Sequence, residues 1–169
     1  MRYGQAWERP KEGPLERWTD STTEDPYADA IVDARAFRAA ADRSLAHGEG
    51  RAIVVVDLGD PADLLASTQD VDEVWAALVA AAEARTAKAI RPADLLGRLA
   101  HGIFAVLTEV GGGPDGSRRV ALRVAERLDQ PFNLGGRQLS VRPRIGVADP
   151  GGSADSADAM LRRAAQVAR

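Results

Sequence analysis

Residues 95–110 read Leu-Leu-Gly-Arg-Leu-Ala-His-Gly-Ile-Phe-Ala-Val-Leu-Thr-Glu-Val and carry the strongest fold signal in the chain. Two apolar runs, Leu95 to Ala100 and Ile103 to Val110, flank the short turn Ala100-His101-Gly102. Apolar runs of strand length on either side of a glycine-containing turn are typical of a β-hairpin. The stretch therefore predicts two antiparallel strands of a sheet.

Another strand is predicted upstream of the hairpin, at residues 52–58, which read Ala-Ile-Val-Val-Val-Asp-Leu. A continuous β-branched run bounded by Gly50 and Gly59 indicates a strand that is buried on both faces. Asp57 comes near its carboxyl end, where open α/β sheets place their ligands. This position makes Asp57 a candidate functional carboxylate.

Helical spacing of apolar residues surrounds these strands. It predicts helices over 33–47, from Val71 onward with Asp70 as N-cap and Trp75 in the core, over 118–129, and from about Ser156 to the end. Short strands are predicted around 132–134 and over 139–148. The order of elements predicts an α/β sandwich of the palm or ferredoxin-like kind, with a central mixed sheet flanked by helices.

Composition excludes several classes of function. The 169 residues carry 22 Lys and Arg against 25 Asp and Glu, so there is no basic field for nucleic acid. Cysteine is absent, which excludes disulfides, cysteine-bound zinc and thiol nucleophiles. No apolar run approaches the ~20 residues of a membrane span, and the first residues lack the apolar region of a signal peptide. We expect a soluble, cytoplasmic protein that binds neither nucleic acid nor membrane.

Residues 1–24 show no periodicity and are predicted to be an irregular N-terminal arm, with the globular domain at residues 25–169. Two of the three tryptophans, Trp7 and Trp18, fall in this arm. Two interpretations stay open for them. They cover an apolar patch of the domain, or they dock a protein partner or a second protomer, because interfaces are enriched in tryptophan.

Over residues 25–169 the elements and their residues together resemble the diguanylate cyclase (GGDEF) domain. Residues 98–107, Arg-Leu-Ala-His-Gly-Ile-Phe-Ala-Val-Leu, match in register the family's signature hairpin Arg-Leu-Gly-Gly-Asp-Glu-Phe-Ala-Val-Leu. Residues 54–58 resemble the family's first strand with its metal-binding aspartate, here Asp57, and residues 124–128 and 141–148 resemble later landmarks. The resemblance implies a GGDEF fold and a role in bacterial-type cyclic di-GMP signalling.

The departures from the family pattern imply that catalysis is lost. Gly102 stands at the position of a metal-binding acid, Ile103 at that of an acid that contacts nucleotide or metal, and Leu65 at that of the guanine-reading asparagine. Asp57 is then a relic metal position or a plain carboxylate that makes local hydrogen bonds. Because magnesium prefers several oxygen ligands, we expect no cyclase activity, no catalytic residue and no bound metal. The degenerate hairpin comprises Ala100, His101, Gly102, Ile103 and Phe104.

Upstream of the hairpin, the segment Arg91-Pro92-Ala93-Asp94 matches in position the family's Arg-x-x-Asp site, which binds cyclic di-GMP. A guanidinium can contact guanine O6 and N7 or a phosphate, and a carboxylate can accept from guanine N–H groups. The alternative is that Arg91 and Asp94 only cap the end of a helix and the start of a strand. Arg98 is expected to point to solvent or to pair with Asp94.

Three arginines lie on the predicted helix at 118–129: Arg118, Arg119 and Arg123. They form either a second clamp for cyclic di-GMP or a face that is exposed to solvent. His101 is expected to be an exposed turn residue.

Three hypotheses for function follow. The first is an inactive GGDEF-like regulatory module that binds cyclic di-GMP through Arg91 and Asp94. The second is a ligand-independent protein-interaction scaffold that uses the tryptophan-bearing arm and the remodelled hairpin groove. The third is a GTP sensor without turnover.

Overall fold

The computed structural model describes residues 31–66, 70–110, 115–151 and 155–168. Its strands are β1 Ile31–Asp33, β2 Arg51–Asp57, β3 Leu95–Ala100, β4 Ile103–Glu109, β5 Phe132–Leu134, β6 Arg137–Leu139 and β7 Arg144–Ala148. Its helices are α1 Ala34–Ala46, α2 Pro61–Leu64, α3 Val71–Ala89, α4 Gly116–Leu128 and α5 Ala157–Val167. The predicted arm at residues 1–24, with Trp7 and Trp18, lies outside the described residues, as does the predicted start of the domain at residue 25.

One sheet holds the hairpin at its centre. Its strand order is β1-β3-β4-β2-β7, with β1 parallel to β3 and every other neighbouring pair antiparallel. β5 and β6 form a separate antiparallel pair. The hairpin β3–β4 has the bounds that the sequence predicts to within one residue, with an irregular register between Arg98 and Ala100.

Strand β2 separates two apolar cores. Val54 and Val56 pack in the core that includes α3 and α4, whereas Ile53 and Val55 pack in the core that includes α1 and α5. Because successive side chains of a strand point to opposite faces, a strand between two helical layers must be apolar throughout. The prediction of a strand buried on both faces is confirmed, and so is the α/β sandwich with a mixed central sheet.

The first strand was not predicted, because the helical pattern from residue 33 masked it. Ile31–Asp33 is only three residues long and pairs with β3 alone, so it carries no periodic signal. Asp33 ends this strand and caps α1, since its Oδ1 accepts from the backbone N–H of Ala36 at 2.7 Å. The predicted helix therefore begins one residue later, at Ala34.

The predicted strand at 139–148 is wrong, because the chain forms two strands there. Leu139 pairs with Phe132 in the small sheet, whereas Arg144 pairs with Asp57 in the large one. Pro143 lies between them and has no N–H to donate to either ladder. The segment therefore leaves one sheet before it enters the other.

Asp70 lies at the N-cap position of α3, as predicted, but it does not cap the helix. Its backbone is left-handed, with φ 63°, and its side chain makes no capping hydrogen bond. Asp72 and Glu73 in the first turn supply the negative charge that the positive end of a helix dipole favours. None of the described helices is both long enough and apolar enough to cross a bilayer.

Candidate functional site

The hairpin turn packs directly against α3. Gly102 has φ +87°, and a Cβ built on it would lie 2.5 Å from Cζ2 of Trp75, far inside normal carbon–carbon contact. Trp75 is only 4% exposed, which confirms its predicted place in the core. His101 is exposed, as expected, and its ring meets the indole edge-on at 6.1 Å between centroids.

Each oxygen of the Asp57 carboxylate accepts one hydrogen bond from a neighbouring group. Its Oδ1 accepts from the backbone N–H of Gly59 at 2.8 Å, and its Oδ2 accepts from Nη2 of Arg144 at 2.8 Å. Arg144 is the register partner of Asp57 across β2 and β7. A guanidinium therefore supplies the positive charge beside this carboxylate, and Asp57 makes local hydrogen bonds.

These residues do not fit the divalent cation that the family resemblance implies. Magnesium needs hard oxygen ligands at short distance, whereas Gly102 has no side chain and Ile103, opposite Asp57 in the ladder, is apolar. No group of three His, Asp or Glu side chains able to hold a metal occurs in the part of the chain that the structure describes.

Residues 91–94 form a tight turn between α3 and β3. The backbone N–H of Asp94 donates to the carbonyl of Arg91 at 2.9 Å, and the backbone N–H of Arg91 donates to Oδ2 of Asp94 at 2.8 Å. These two bonds fix the turn and satisfy the local capping role of Asp94. Arg91 is exposed, and no side-chain bond joins its guanidinium to another described residue.

Two arginines from other elements bind the backbone on either side of Arg91. Nε of Arg123 on α4 donates to the carbonyl of Ala89, the last residue of α3. Nη1 of Arg51 on β2 lies 3.5 Å from the carbonyl of Ala93. Among described residues, Nη2 of Arg123 and Nε of Arg51 are the buried side-chain nitrogens without a hydrogen bond. Arg51 is also paired with Glu49 and Glu109 at 3.3 Å each, so its charge is balanced, whereas Arg123 brings a guanidinium next to the turn.

The interpretation of the α4 arginines as one solvated face is corrected for Arg123. Arg118 and Arg119 are exposed, but Arg123 is half-buried where α4 meets the end of α3. Arg118 and Arg119 lie four to five residues earlier on the helix, at its open end. Sequence spacing alone does not separate these environments, because the partner carbonyl comes from another element.

Arg98 pairs with a buried carboxylate that the sequence did not indicate. Its guanidinium makes two hydrogen bonds with Glu83 of α3, not with Asp94 as expected. Glu83 is only 1% exposed, whereas the Arg98 side chain is 55% exposed. The hydrogen bond with Glu83 raises the pKa of Arg98 above its usual range. The pair fastens α3 to the hairpin.

No family model matches this sequence, and no curated protein matches it. Solved structures do match it. The GGDEF domain of YfiN (TpbB) from Pseudomonas aeruginosa is 23% identical, covers 82% of this chain and 88% of its own, and superposes with a TM-score of 0.71. A sensory box/GGDEF family protein from Caulobacter crescentus is 23% identical over 81% of this chain and 90% of its own, with a TM-score of 0.67. The chain has the GGDEF fold.

A third GGDEF-fold neighbour was solved with a protein bound. Diguanylate cyclase SiaD from Pseudomonas aeruginosa, in complex with its activator SiaC, is 19% identical, with a TM-score of 0.67. It covers 82% of this chain and 54% of its own. These likenesses confirm the fold that the hairpin and strand β2 predict. The degeneracy of this GGDEF-fold hairpin and the ligand of the 91–94 turn stay predictions.

Proposed function

We propose that this GGDEF-fold domain is a catalytically inactive regulatory module that binds cyclic di-GMP at the turn formed by residues 91–94. The observation that carries the proposal is the contrast between two places in the fold. At the hairpin, the candidate carboxylate of Asp57 is already bound by Arg144. At the turn, the backbone is fixed while the guanidinium of Arg91 is left exposed.

The turn has the chemistry that a guanine nucleotide requires. Arg91 can make two parallel hydrogen bonds, either to guanine O6 and N7 or to a phosphate. Asp94 uses Oδ2 for the backbone of Arg91, so Oδ1 is left to accept from guanine N–H groups. Because the turn is already ordered, binding does not have to pay for ordering its backbone.

The guanidinium of Arg123 adds to this proposal. Its Nε donates to the backbone carbonyl of Ala89 near Arg91, and its buried Nη2 has no hydrogen-bond partner among the described residues. An anionic ligand at the turn would be attracted by Arg91 and Arg123, whereas the charge of Arg51 is already balanced by Glu49 and Glu109. We therefore propose Arg123 as the second clamp.

The residues at the hairpin support the proposal that cyclase chemistry is lost. Phosphoryl transfer depends on metal ions that neutralise the developing charge and position the phosphates. Here Asp57 faces Arg144 and Ile103, and Gly102 supplies no carboxylate. We propose on this basis that the domain does not convert GTP to cyclic di-GMP.

Thermal shift and product formation test both halves of the proposal. We expect cyclic di-GMP to raise the Tm of the wild type and of Arg142→Ala, an exposed arginine between β6 and β7, but not of Arg91→Ala. Incubation with GTP and magnesium should yield no cyclic di-GMP. Product at enzymatic rates would contradict the inactive assignment, and an equal Tm rise in Arg91→Ala would contradict the binding site.

A second candidate function is a protein-interaction scaffold, which the solved complex of SiaD with its activator SiaC favours. In this alternative the arm that bears Trp7 and Trp18 docks a protein partner or a second copy of the chain. Light scattering on the full chain tests the second copy. A dimer that is lost in Trp7→Ala or Trp18→Ala, whether or not nucleotide is present, would favour the scaffold, whereas a monomer in every variant would count against the second copy.

A further inference from the structure

Strand β1 brings the start of the described chain to the 91–94 turn. β1 runs parallel to β3, and its first residue, Ile31, is the register partner of Leu96. Leu96 comes only two residues after Asp94, the last residue of the turn. Because neighbouring strands lie ~4.8 Å apart and a strand rises ~3.3 Å per residue, Ile31 is within about 10 Å of the turn. The chain before Ile31 therefore joins the sheet at the end where the turn lies.

The sequence that joins β1 at this end is acidic. Residues 20–30 read Asp-Ser-Thr-Thr-Glu-Asp-Pro-Tyr-Ala-Asp-Ala, with four carboxylates and no Lys or Arg. We call these residues the acidic segment, which lies outside the residues that the structure describes. Its carboxylates come two to eleven residues before Ile31, and an extended chain spans up to ~3.5 Å per residue. Each of them can therefore reach the turn.

The turn offers unbalanced positive charge to these carboxylates. Arg91 is exposed, and no side-chain bond joins its guanidinium to another described residue. Beside it, the buried Nη2 of Arg123 also lacks a hydrogen-bond partner among the described residues. Two other arginines near β1 and the turn are already paired, since Arg98 binds Glu83, and Arg51 binds two glutamates. The charges therefore direct the acidic segment to Arg91.

We propose that the acidic segment binds the guanidinium of Arg91 in the same chain and competes with cyclic di-GMP for the 91–94 turn. The competition rests on the proposed function, whereas the contact between the segment and the turn does not. Attachment through β1 gives the carboxylates a high effective concentration at the turn, so that a weak ion pair is populated. Because exposed ion pairs are weak, the segment lowers the affinity for the ligand without preventing its binding.

A spin label tests the contact without any ligand. The chain has no cysteine, so Ser21→Cys in the full chain gives a single point of attachment within the acidic segment. The label should weaken the amide signals of Arg91 and Asp94 in the NMR spectrum more than that of His101, at the opposite end of β3. Salt at about 1 M should restore both signals, because it screens exposed charges.

Two triple variants of the labelled chain remove the same number of charges from different places. The near variant carries Glu24→Gln, Asp25→Asn and Asp29→Asn, and the far variant carries Glu8→Gln, Glu12→Gln and Glu16→Gln. The weakening of the turn signals should be lost in the near variant and in Arg91→Ala. It should persist in the far variant and in Arg142→Ala.

Equal weakening in the near and far variants, or weakening that persists in Arg91→Ala, would overturn the contact. A mixture of labelled chains and isotope-enriched unlabelled chains tests whether the contact lies within one chain. Weakening of the same size in this mixture would overturn an intramolecular contact.

Calorimetric titration with cyclic di-GMP tests the competition. We expect the near variant to bind about threefold more tightly than the wild type, because no ion pair has to be displaced, and the far variant to bind like the wild type. Equal affinity of the near variant and the wild type would overturn the competition. Absence of binding to every variant would overturn the proposed ligand, and the spin label would still decide whether the segment contacts the turn.

Discussion

At the scale of single residues, Gly146 is the described glycine at which an added Cβ would meet the closest neighbouring atom. A Cβ there would lie 1.8 Å from the carbonyl oxygen of Ala164 and 2.9 Å from the backbone nitrogen of Ala168. The clash is with the backbone of α5, which cannot rotate aside as a side chain could. The close packing of α5 on strand β7 therefore depends on this glycine.

We predict that Gly146→Ala lowers the free energy of unfolding by about 3 kcal/mol or more, the upper end of overpacking in a rigid core. Urea denaturation followed by circular dichroism measures the loss. Gly50→Ala is the matched control, because nothing lies within 4 Å of a Cβ there. A loss in Gly146→Ala no larger than in Gly50→Ala would contradict the close packing of α5 on β7.

Among the residues that the structure describes, Glu83 is the charged residue that is buried, and Arg98 is its ion-pair partner. We predict that Arg98→Ala lowers the free energy of unfolding by about 2 kcal/mol, because it leaves a buried carboxylate without its counter-charge. The loss stays below that of a fully buried pair, since the Arg98 side chain is 55% exposed. Arg142→Ala is the control for removal of a surface arginine. Equal stability of the two variants would show that Glu83 does not need Arg98.

At the scale of elements, the carboxylate of Asp155 joins Gly151 to Arg163 of α5, and its pKa lies well below the usual range. Arg163 binds Asp155 through Nη1 at 2.6 Å and Nη2 at 2.9 Å, and the N–H of Gly151 also donates to it. The hydrogen bonds from Arg163, which have the largest effect, and the bond from Gly151 lower the pKa of Asp155 to about 2. The ionised form is therefore the one that the folded loop stabilises.

The sign of the pH dependence follows from the lowered pKa of Asp155. Its contribution to stability is complete above the unfolded pKa of about 3.9 and is lost as the pH falls towards about 2. We predict that the wild type loses more stability than Asp155→Asn between these two values, as measured by urea midpoints across the range. Parallel curves for the two proteins would show that the loop does not depend on this carboxylate.

The sequence predicts an element well when the element's own residue pattern causes it to form, and poorly when a neighbouring strand does. Strand β2 and helix α3 are long and strongly patterned, so both are found within one residue of their observed start. Strand β1 has only three residues and forms because β3 lies beside it. The break between β6 and β7 depends on which sheet each segment joins, although Pro143 offered a local sign of it.

At the scale of the whole molecule, only part of the candidate site could be predicted from the sequence. The sequence was enough to select Arg91, Asp94 and Gly102 as residues of interest. The partners of Asp57 and Arg98 could not, because Arg144 and Glu83 are brought there by strand register and helix packing. The contact of Gly102 with Trp75 joins α3 to the hairpin turn, and only the packed fold reveals it.

The fold therefore separates two regions that differ in whether their charged side chains are paired. At the hairpin, where the GGDEF resemblance implies chemistry, Asp57 is paired with Arg144 and Gly102 lies against the buried Trp75. The turn at residues 91–94 presents an exposed guanidinium bordered by Arg51 and Arg123. We propose that this domain binds a ligand at the 91–94 turn and performs no chemistry at the hairpin.

Isothermal titration calorimetry of the full chain with cyclic di-GMP measures this binding and locates it. The wild type and Arg142→Ala should release saturable heat with the same affinity, whereas Arg91→Ala and Asp94→Ala should release none, because each loses one half of the guanine-binding pair. Absence of heat from the wild type, or binding by Arg91→Ala that equals the wild type, would rule out cyclic di-GMP binding at the 91–94 turn.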